Sequence, residues 1–564
     1  MRLWRDAVAA QRRMPAYLVE EQDGWREMSW PEAARAVEEL ANGLLARGIK
    51  KGDSFAILAR TTPEWLLFDF ALALAGAVSA PIYPNSAAGE CAYIVDHSEA
   101  VGVLAEDDAQ LAKLDRAAHE RLEHVLSFAD LDHLRADGRA FAAEHPRALK
   151  EASEAIDEED LYTYIYTSGT TGRPKGCMIR HRNYYAMTSC IEQIEGLSLD
   201  RDVMLLYLPL AHNFGRLMGL WGAYAGFAIA FCPDPLRVRE VLPQVRPTLL
   251  PSVPRVFEKV HASVVAQIEE ARGVKRRLAD WSLGVGREVS TLRQTQRPIP
   301  PSLALRHRLA DRLLFRKVKN GLGGRLRIAI SGGAPLAKEI AEFFHALDVL
   351  IIEGWGQTEC TTAATVNRPN RYRFGTIGPP MPGQEVTVAD DGELLIRGET
   401  VFAGYLKDDP ATREVLGDDG WLRSGDLGEI DDDGFVRITG RKKDLLVTAG
   451  GKNVAPQNLE NALKQSRYVS QAVIVGDRRP YVAALVTLDP ESTAGMDDGA
   501  ARDRVQEAVD EVNRDLSRFE QIKRFAILPR DFSAEEGEVT PTLKLKRRVI
   551  EQHFADEIER LYAG

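Results

Sequence analysis

The segment LYTYIYTSGTTGRPKG, residues 161–176, is rich in residue types that bind phosphate groups. Its glycines allow backbone N–H groups to turn toward phosphate oxygens, its hydroxyls add donors, and Lys175 adds a positive charge. In the P-loop of NTPases, Gly-Lys is followed by Ser or Thr and opens a helix. Here Pro174 precedes the lysine and biases Arg173 away from helical geometry. The pattern favours a loop that closes over a triphosphate, although its composition alone also suits an ordinary connecting loop.

Three other segments carry side chains suited to nucleotide chemistry. In EGWGQTE (353–359), the Trp355 indole offers a flat surface for adenine. The Glu359 carboxylate is a ligand of the type that Mg²⁺ prefers, although most carboxylates are simply exposed. Asp426, in GWLRSGDLG (420–428), could accept hydrogen bonds from both ribose hydroxyls or could be a turn residue. Lys544, in TPTLKLKR (540–547), is either a solvated lysine of a basic tail or a cation that stabilises charge developing on phosphorus.

The elements that must position these side chains follow an alternating pattern. The first 440 residues alternate amphipathic helices with short apolar strands, which is typical of an α/β domain. For example, Ser29 and Glu32 form a capping-box pair, and Gly48 ends the predicted helix. Near Gly440 the composition changes, and a compact region with its own strands and helices follows. We therefore predict an α/β fold with a large multi-lobed N-terminal domain, residues 1–441, and a small α+β C-terminal domain, residues 442–564.

Composition and charge exclude several classes of protein. The formal net charge of −11 argues against general nucleic-acid binding. The five cysteines are scattered without a CxxC pair, so neither a zinc site nor a disulfide framework is indicated, and a cytoplasmic location is expected. The N-terminus lacks the apolar stretch of a signal peptide. The longest uncharged run, residues 217–233, is shorter than a membrane span and contains glycines, so we predict that it is buried core.

One segment departs from the acidic character of the chain. Residues 272–327 contain fifteen Lys and Arg but only three acidic residues, Asp280, Glu288 and Asp311. Such charge runs are usually solvated helical faces. Because clustered Lys and Arg are attracted to anionic lipids, the alternative is a peripheral contact with the inner membrane surface.

YTSGTTGRPKG resembles the phosphate-loop signature of the adenylate-forming superfamily, which includes acyl-CoA synthetases, peptide-synthetase adenylation domains and firefly luciferase. Five more segments resemble this family in the expected order: SGGAPL (331–336), EGWGQTE (353–359), GWLRSGDLG (420–428), GRKKDLLVTAGGKNV (440–454) and TPTLKLKR (540–547). Together they cover nearly the whole chain. The resemblance implies that the small C-terminal domain is mobile and that the active site lies between the two domains.

The resemblance also implies roles for individual residues. Lys544 is expected to be the catalytic lysine, Lys443 the hinge, and Thr167 the companion of Glu359 at a Mg²⁺ ion. Arg441 is expected to join Asp426 at the ribose and phosphate. The nucleotide-binding and coenzyme-binding set that it implies is Ser168, Gly169, Thr170, Thr171, Gly172, Lys175, Gly332, Gly333, Ala334, Glu353, Gly354, Trp355, Gly356, Gln357, Thr358, Asp426, Arg441, Gly450 and Gly451, of which the last two would line the pantetheine path.

For the acyl group, the family resemblance indicates the region that follows LPLAH (208–212). His212 is expected to lie near the substrate without acting as an acid or base. Many relatives carry a Trp gate four residues later, whereas this chain has Arg216. Small residues recur at helical spacing in the next segment, so they share one face that either holds an acyl chain or packs against the protein. These residues are Gly219, Gly222, Ala223 and Gly226.

The function implied by the resemblance is ATP-dependent activation of a fatty acid, followed by transfer to coenzyme A. LPLAH, VPRVFEK (253–259) and GKNVAPQNLE (451–460) resemble the long-chain branch of the family. Two alternatives remain open on sequence. One is a fatty acyl-AMP ligase that delivers the acyl group to a carrier protein, and the other is a non-catalytic nucleotide-binding regulator. The expected ligands are a fatty acid, ATP, Mg²⁺ and coenzyme A. The sequence does not fix the oligomeric state, for which a homodimer is one option.

Overall fold

The computed structural model, which describes residues 2–10, 12–115, 119–167, 173–514, 516–533, 535–540 and 544–563, contains two large sheets in its N-terminal part. The first sheet has six strands in the order β6-β5-β3-β4-β7-β8, parallel except for the antiparallel edge strand β8. Its strands are β3 (Ser54–Leu58), β4 (Val78–Ile82), β5 (Ala100–Ala105), β6 (His124–Ser127), β7 (Leu161–Thr167) and β8 (Lys175–Arg180).

The second sheet has eight strands in the order β14-β13-β12-β11-β9-β10-β1-β2, with parallel inner strands and antiparallel edge strands. Its strands are β1 (Tyr17–Glu21), β2 (Gly24–Met28), β9 (Val203–Leu206), β10 (Ala228–Phe231), β11 (Leu249–Ser252), β12 (Ile328–Ser331), β13 (Leu350–Trp355) and β14 (Thr365–Val366). A separate antiparallel sheet follows, formed by β15 (Glu385–Val388), β16 (Glu393–Arg397), β17 (Leu422–Ile430) and β18 (Val436–Arg441).

Sixteen α-helices accompany these sheets in the N-terminal part of the described chain. They are α1 (Arg2–Ala9), α2 (Trp30–Ala46), α3 (Pro63–Ala75), α4 (Ala88–His97), α5 (Asp108–Leu111), α6 (Leu131–Glu144), α7 (Ala148–Glu154), α8 (His181–Glu192), α9 (Asn213–Ala225), α10 (Val238–Val245), α11 (Pro254–Glu270), α12 (Val274–Gln294), α13 (Pro301–Ala310), α14 (Arg316–Gly321), α15 (Lys338–Ala346) and α16 (Asp409–Val415). A π-helical turn, Asp311–Phe315, joins α13 to α14.

The C-terminal part contains a short hairpin and a three-stranded sheet. The hairpin pairs β19 (Leu446–Val447) with β20 (Asn453–Val454), and the sheet contains β21 (Val469–Val475), β22 (Val482–Leu488) and β23 (Ile522–Ile527). Its helices are α17 (Pro456–Leu463), α18 (Asp498–Asn513), α19 (Arg547–His553) and α20 (Ala555–Tyr562). Two hydrophobic clusters contain only residues between 3 and 422, and two contain only residues between 446 and 562. The α/β fold with a separate C-terminal domain is thus confirmed.

Local sequence signals predicted α2 well, with one difference. The Ser29 hydroxyl accepts a hydrogen bond from the Glu32 backbone at 3.3 Å, and Gly48 has the positive φ that ends the segment. The Glu32 carboxylate, however, binds the Arg26 guanidinium at 2.8 Å. The capping box is therefore only half formed, because a charged partner from β2 is a stronger donor than the Ser29 backbone N–H.

The uncharged run at residues 217–233 forms most of α9 and all of β10 and is buried, as predicted. No helix in the described ranges combines the length and apolar character needed to cross a bilayer.

Arg216 lies on α9 and joins the two large sheets through a buried polar cluster. Its side chain is fully buried, pairs with Asp69 of α3, and donates to Ser79 and Thr163 at 2.6 Å each. Its guanidinium lies 4.8 Å from the ring centroid of Tyr162. Helix α9 connects strands of the second sheet. Its partners Ser79 and Thr163 lie on strands of the first sheet, and Asp69 lies on the helix that connects two strands of that sheet. The cluster therefore fixes how the two sheets pack. The position that carries a Trp gate in many relatives therefore belongs to the core here.

We expect Arg216→Met and Asp69→Leu each to lower the free energy of unfolding by about 3–5 kcal/mol, because each change leaves a buried charge without its partner. The double variant should lose less than the sum of the two single variants. The measurement is guanidinium chloride unfolding of all three variants. Arg397→Met, which removes an exposed pair with Glu385 at 2.7 Å, is the control and should cost less than about 1 kcal/mol. Strictly additive effects of the two buried changes would contradict the coupling.

Candidate active site

The carboxyl ends of β12 and β13 bring two of the glycine-rich segments together. These strands are parallel neighbours, and Ser331 is in register with Glu353. An added Cβ at Gly356 would lie 2.3 Å from the Thr362 carbonyl oxygen, so only glycine fits there. An added Cβ at Gly332 would lie 3.3 Å from the Phe214 ring, a tight but less restrictive approach. Close backbone packing thus shapes this edge of the second sheet.

Glu353 fixes the loop that follows β12. It is buried, and its carboxylate accepts a hydrogen bond from the Leu336 backbone at 3.1 Å. Burial raises the pKa of Glu353 to about 7, because desolvation disfavours the charged carboxylate. The Glu353 side chain therefore stabilises the loop that carries Gly333 and Ala334.

Trp355, Asp426 and Arg441 form one hydrogen-bonded group. The antiparallel pairing of β17 and β18 places Asp426 opposite Arg441. One Asp426 oxygen accepts from Arg441 Nε at 3.0 Å, and the other accepts from Trp355 Nε1 at 2.8 Å. Three residues that the sequence placed at the nucleoside are thus in direct contact, although they come from two different sheets.

Glu359 and Thr167 approach each other across the buried thiol of Cys177. Thr167 Oγ1 lies 4.0 Å from the Cys177 sulfur. The pKa of Cys177 is raised well above its usual value, first by burial and then by the neighbouring negative charge of Glu359. Tyr405 donates its hydroxyl to Glu359 at 2.7 Å and so orients the carboxylate. Lys175 lies 4.9 Å from the centroid of the Tyr405 ring.

This arrangement fits a Mg²⁺ ion that is held mainly by its substrate. The described residues include no group of three or more His, Cys, Asp or Glu side chains placed to bind a metal. Glu359 and Thr167 would offer one carboxylate and one hydroxyl to the ion. Mg²⁺ is commonly bound through one or two carboxylates together with phosphate oxygens and water, so the small number of protein ligands suits it.

Lys544, from the C-terminal domain, lies at the same cleft. It is close enough to Glu359, Asp426 and Arg441 to interact with them electrostatically. The pKa of Lys544 is lowered, first by loss of solvent around it and then by the Arg441 charge, whereas the two carboxylates act in the opposite direction. Lys544 has many protein atoms around it but is still exposed to solvent, as expected for a residue that lines an open cleft.

His212 is the N-cap of α9. Its Nδ1 accepts a hydrogen bond from the Phe214 backbone at 3.1 Å. Burial, together with the nearby charge of Lys544, lowers the pKa of His212 to about 3. A neutral imidazole used as a cap acceptor suits a structural and substrate-contacting position better than proton transfer.

Sequence reasoning missed the residues that anchor the Lys544 segment. The buried Glu538 carboxylate binds Arg530 through two hydrogen bonds of 2.6 and 2.8 Å and also contacts His553 at 3.0 Å. Its pKa is lowered to about 2, chiefly by Arg530. On the other side, Arg547 pairs with the buried Glu460 at 2.8 Å. Tyr405 was missed as well, and the only available signal was the position of these residues inside or beside recognised motifs.

Other predicted residues lie elsewhere or are not described. Ser168, Gly169, Thr170, Thr171 and Gly172 lie outside the described residues. The described residues on either side belong to β7 and β8, which pair in register at Thr167 and Lys175. Lys443 is exposed in the turn after β18, where the Asp444 and Leu445 backbones bind the Arg441 carbonyl. Gly450 and Gly451 lie at the exposed tip of the β19–β20 hairpin. Gly354 lies within β13, and Gln357 and Thr358 follow this strand toward Glu359.

The prediction of an acyl groove along α9 is wrong for the face that carries Gly222 and Ala223. An added Cβ at Gly222 would lie 2.4 Å from the Ile229 side chain, and at Gly219 it would lie 3.2 Å from Leu66. Ala223 is only 1% exposed. The small residues permit close packing against β10 and α3, because a helix that must lie near a sheet has little room for side chains.

Comparison with known proteins matches both parts of the chain. The family described as AMP-binding enzyme matches residues 4–406, and the AMP-binding enzyme C-terminal domain matches residues 443–564. The chain is 37% identical to long-chain-fatty-acid–CoA ligase FadD15 of Mycobacterium tuberculosis, over 97% of this chain and 95% of that protein. It is 30% identical to the peroxisomal long chain acyl-CoA synthetase 7 of Arabidopsis thaliana, over 95% and 81% of the two chains.

Solved structures share the fold at lower identity. The adenylation domain of a carboxylate reductase from Mycobacterium chelonae aligns with a TM-score of 0.78 at 22% identity, covering 100% of this chain and 90% of that one. The anthranilate CoA ligase AuaEII, solved in complex with anthranoyl-AMP, aligns with a TM-score of 0.75 at 21% identity, covering 98% and 96%.

Glu353 gives the site a predictable dependence on pH. The folded protein keeps the Glu353 proton up to a pKa of about 7, whereas an ordinary glutamate loses it near 4.5. The free energy of unfolding should therefore fall as pH rises through this interval, by up to about 3 kcal/mol. Glu353→Gln, which stays neutral, should lack this loss. The measurement is denaturant unfolding at pH 5 and pH 8.

The matched control for this test is Glu385→Gln, which changes an exposed carboxylate and should keep the wild-type difference between the two pH values. If Glu353→Gln lost as much stability as the wild type between pH 5 and pH 8, another group would be responsible.

Proposed function

The chain belongs to the AMP-binding enzyme family, and we propose that it is a long-chain-fatty-acid–CoA ligase. It activates a fatty acid with ATP to give acyl-AMP and pyrophosphate, and then transfers the acyl group to coenzyme A with release of AMP. The observation that carries this proposal is the hydrogen-bonded group of Trp355, Asp426 and Arg441, which joins the residues expected at the nucleoside. Relatives named long-chain-fatty-acid–CoA ligase that align over nearly the whole chain support it.

In the proposed complex, ATP lies along the edge formed by β12, β13 and β17. The Trp355 ring faces the adenine, and Asp426 accepts hydrogen bonds from the ribose hydroxyls. Both Asp426 oxygens already accept one bond, from Arg441 and from Trp355, but each retains a second lone pair. Lys175 lies at the phosphates, and Glu359 and Thr167 would hold a Mg²⁺ ion, which would neutralise part of the phosphate charge.

Lys544 acts in the first reaction step. The fatty acid carboxylate attacks the α-phosphorus, the new P–O bond forms, and the bond to pyrophosphate breaks. Negative charge then spreads over a five-coordinate phosphorus, and a cation that bridges the incoming and leaving groups stabilises this state more than the ground state. Asp426 and Glu359 favour the charged form of Lys544, which suits this role. His212 borders the carboxylate as a neutral group.

The second step requires the C-terminal domain to move. Rotation about Lys443, in the exposed turn after β18, withdraws Lys544 and brings Gly450 and Gly451 to the pantetheine path. The coenzyme A thiolate then attacks the acyl carbonyl, its proton having passed to solvent, and AMP leaves with the electrons of the broken C–O bond. Since a mixed anhydride is a good electrophile, the enzyme mainly positions the thiol.

We expect the enzyme to release pyrophosphate in the presence of fatty acids, with kcat/KM rising severalfold for each two-carbon extension. Each buried methylene contributes about 0.8 kcal/mol, part of which is realised in the transition state. The measurement is pyrophosphate release across a series of carboxylic acids, followed by AMP release with and without free coenzyme A. Coenzyme A should accelerate AMP release. No acceleration would favour transfer to a carrier protein, and ATP binding without pyrophosphate release would indicate a non-catalytic protein.

Lys544→Ala should reduce acyl-AMP formation by about 100-fold or more, since it removes a cation that acts in the transition state. Thioester formation from supplied acyl-AMP should be spared, because Lys544 withdraws before this step. Single-turnover assays of the two half-reactions measure this difference. Arg548→Ala removes an exposed charge four residues away and should leave both half-reactions unchanged. An equal loss in both half-reactions would contradict the division of labour.

A further inference from the structure

The basic segment forms a helical hairpin on the protein surface. This basic hairpin is residues 272–321, which contain α12, α13, the π-helical turn Asp311–Phe315 and α14. Arg306 of α13 pairs with Glu288 of α12 at 3.6 Å. An added Cβ at Gly286 would lie 3.1 Å from the buried Phe315 ring, so the turn packs closely on α12. The hairpin is thus a packed structural unit with a defined outer surface.

The outer surface of the basic hairpin is unusually apolar. Of the nine large hydrophobic side chains that are exposed in the described part of the chain, five belong to this hairpin. Leu305, Leu309 and Leu313 recur every four residues and therefore form one stripe, with Leu305 68% and Leu309 50% exposed. Val274 and Leu278 are exposed at the same spacing on α12. Apolar side chains concentrated on one exposed unit indicate a binding surface.

Unpaired cations accompany this stripe. The three acidic residues of the segment are all engaged: Asp280 pairs with Arg276, Glu288 with Arg306, and Asp311 with Arg316 and Lys319. Eight basic side chains are exposed and form neither a hydrogen bond nor an ion pair with any described residue: Arg272, Lys275, Arg277, Arg287, Arg297, Arg308, Arg312 and Lys317. Their charges remain available for an anionic partner from outside the chain.

We propose that the basic hairpin is the surface through which this protein docks on an anionic lipid bilayer. A helix that lies in the interface buries its apolar stripe at the boundary between headgroups and acyl chains and keeps Lys and Arg near the headgroups. Long basic side chains can extend to the phosphates while their stems stay apolar. The spacing of Leu305, Leu309 and Leu313 beside Arg308, Arg312 and Lys317 meets both requirements.

A second copy of the chain fits this surface less well. In a two-fold symmetric dimer the same patch would face itself, and the eight unpaired cations would be brought toward eight more. A bilayer that contains anionic lipids instead supplies a dense negative surface. The proposal concerns binding alone and does not depend on the reaction assigned to the active site.

The test is sedimentation of the full chain with vesicles of phosphatidylcholine alone or mixed with phosphatidylglycerol. We expect binding to the mixed vesicles and weaker binding at high salt, because exposed charges are screened. The triple variant Arg308→Glu/Arg312→Glu/Lys317→Glu should weaken binding by about tenfold or more, since each basic residue near an anionic surface contributes roughly 1 kcal/mol. Leu305→Ser/Leu309→Ser/Leu313→Ser should weaken it by a similar factor.

Two control variants test whether the effect belongs to this surface. Arg13→Glu/Arg201→Glu/Arg239→Glu makes the same change in net charge at exposed arginines elsewhere, and Leu236→Ser removes a leucine that is 92% exposed outside the hairpin. Both should bind vesicles like the wild type. All variants should keep wild-type unfolding and activity with a water-soluble short acid.

Binding that ignores anionic lipid and salt would overturn the proposal, as would equal effects of the hairpin and control variants. The proposal would also be overturned if the wild type did not bind vesicles but formed a concentration-dependent dimer that the leucine variant dissociates. That result would assign the surface to contact with a second copy of the chain.

Discussion

The buried pair of Arg216 and Asp69 is the interaction on which the rest of the active site depends. Arg216 lies one turn after His212, so fixing its guanidinium also fixes the start of α9. Its other partner, Thr163, lies on β7 four residues before Thr167, where the phosphate loop begins. Because an unpaired charge in this interior would be very costly, the two large sheets can pack in only one arrangement. The parts of the candidate site that carry His212 and Thr167 are thereby held together.

Lys544, the proposed catalytic lysine, is flanked by a second, separate set of buried charges. Glu538 and Arg547 flank the Lys544 segment and are each paired inside the C-terminal domain. The segment is thus attached firmly to its own domain and only lightly to the N-terminal domain, where Lys544 meets Glu359 and Asp426. Strong attachment on one side and a solvent-accessible cleft on the other are what a residue needs if it must act in one reaction step and leave before the next.

The sequence predicts elements where the signal is local. Ser29 caps α2, and Asp426 forms hydrogen bonds with Trp355 and Arg441, while the catalytic and binding roles that the family resemblance implies for these residues stay predictions. The sequence does not predict side-chain contacts whose partners lie far away along the chain or in another element. The sequence leaves two interpretations of the glycine face of α9 open. The side chains that fill this face, Ile229 and Leu66, belong to other elements. The Glu32 carboxylate binds Arg26 of β2, and the Arg216 guanidinium binds Asp69, which lies 147 positions away in the sequence. Motif and periodicity carry no information on such contacts.

The division of the hydrophobic clusters at residues 422 and 446 also has a consequence for evolution and engineering. The contacts that join the two domains include polar pairs, such as Arg467 with Glu269 at 3.1 Å and Gln465 with Glu339 at 3.3 Å, and no cluster of described residues draws on both sides. A recombination point in the turn after Arg441 would therefore cut through no core. We therefore expect that the C-terminal domain could be exchanged among homologues without disrupting the core of either domain.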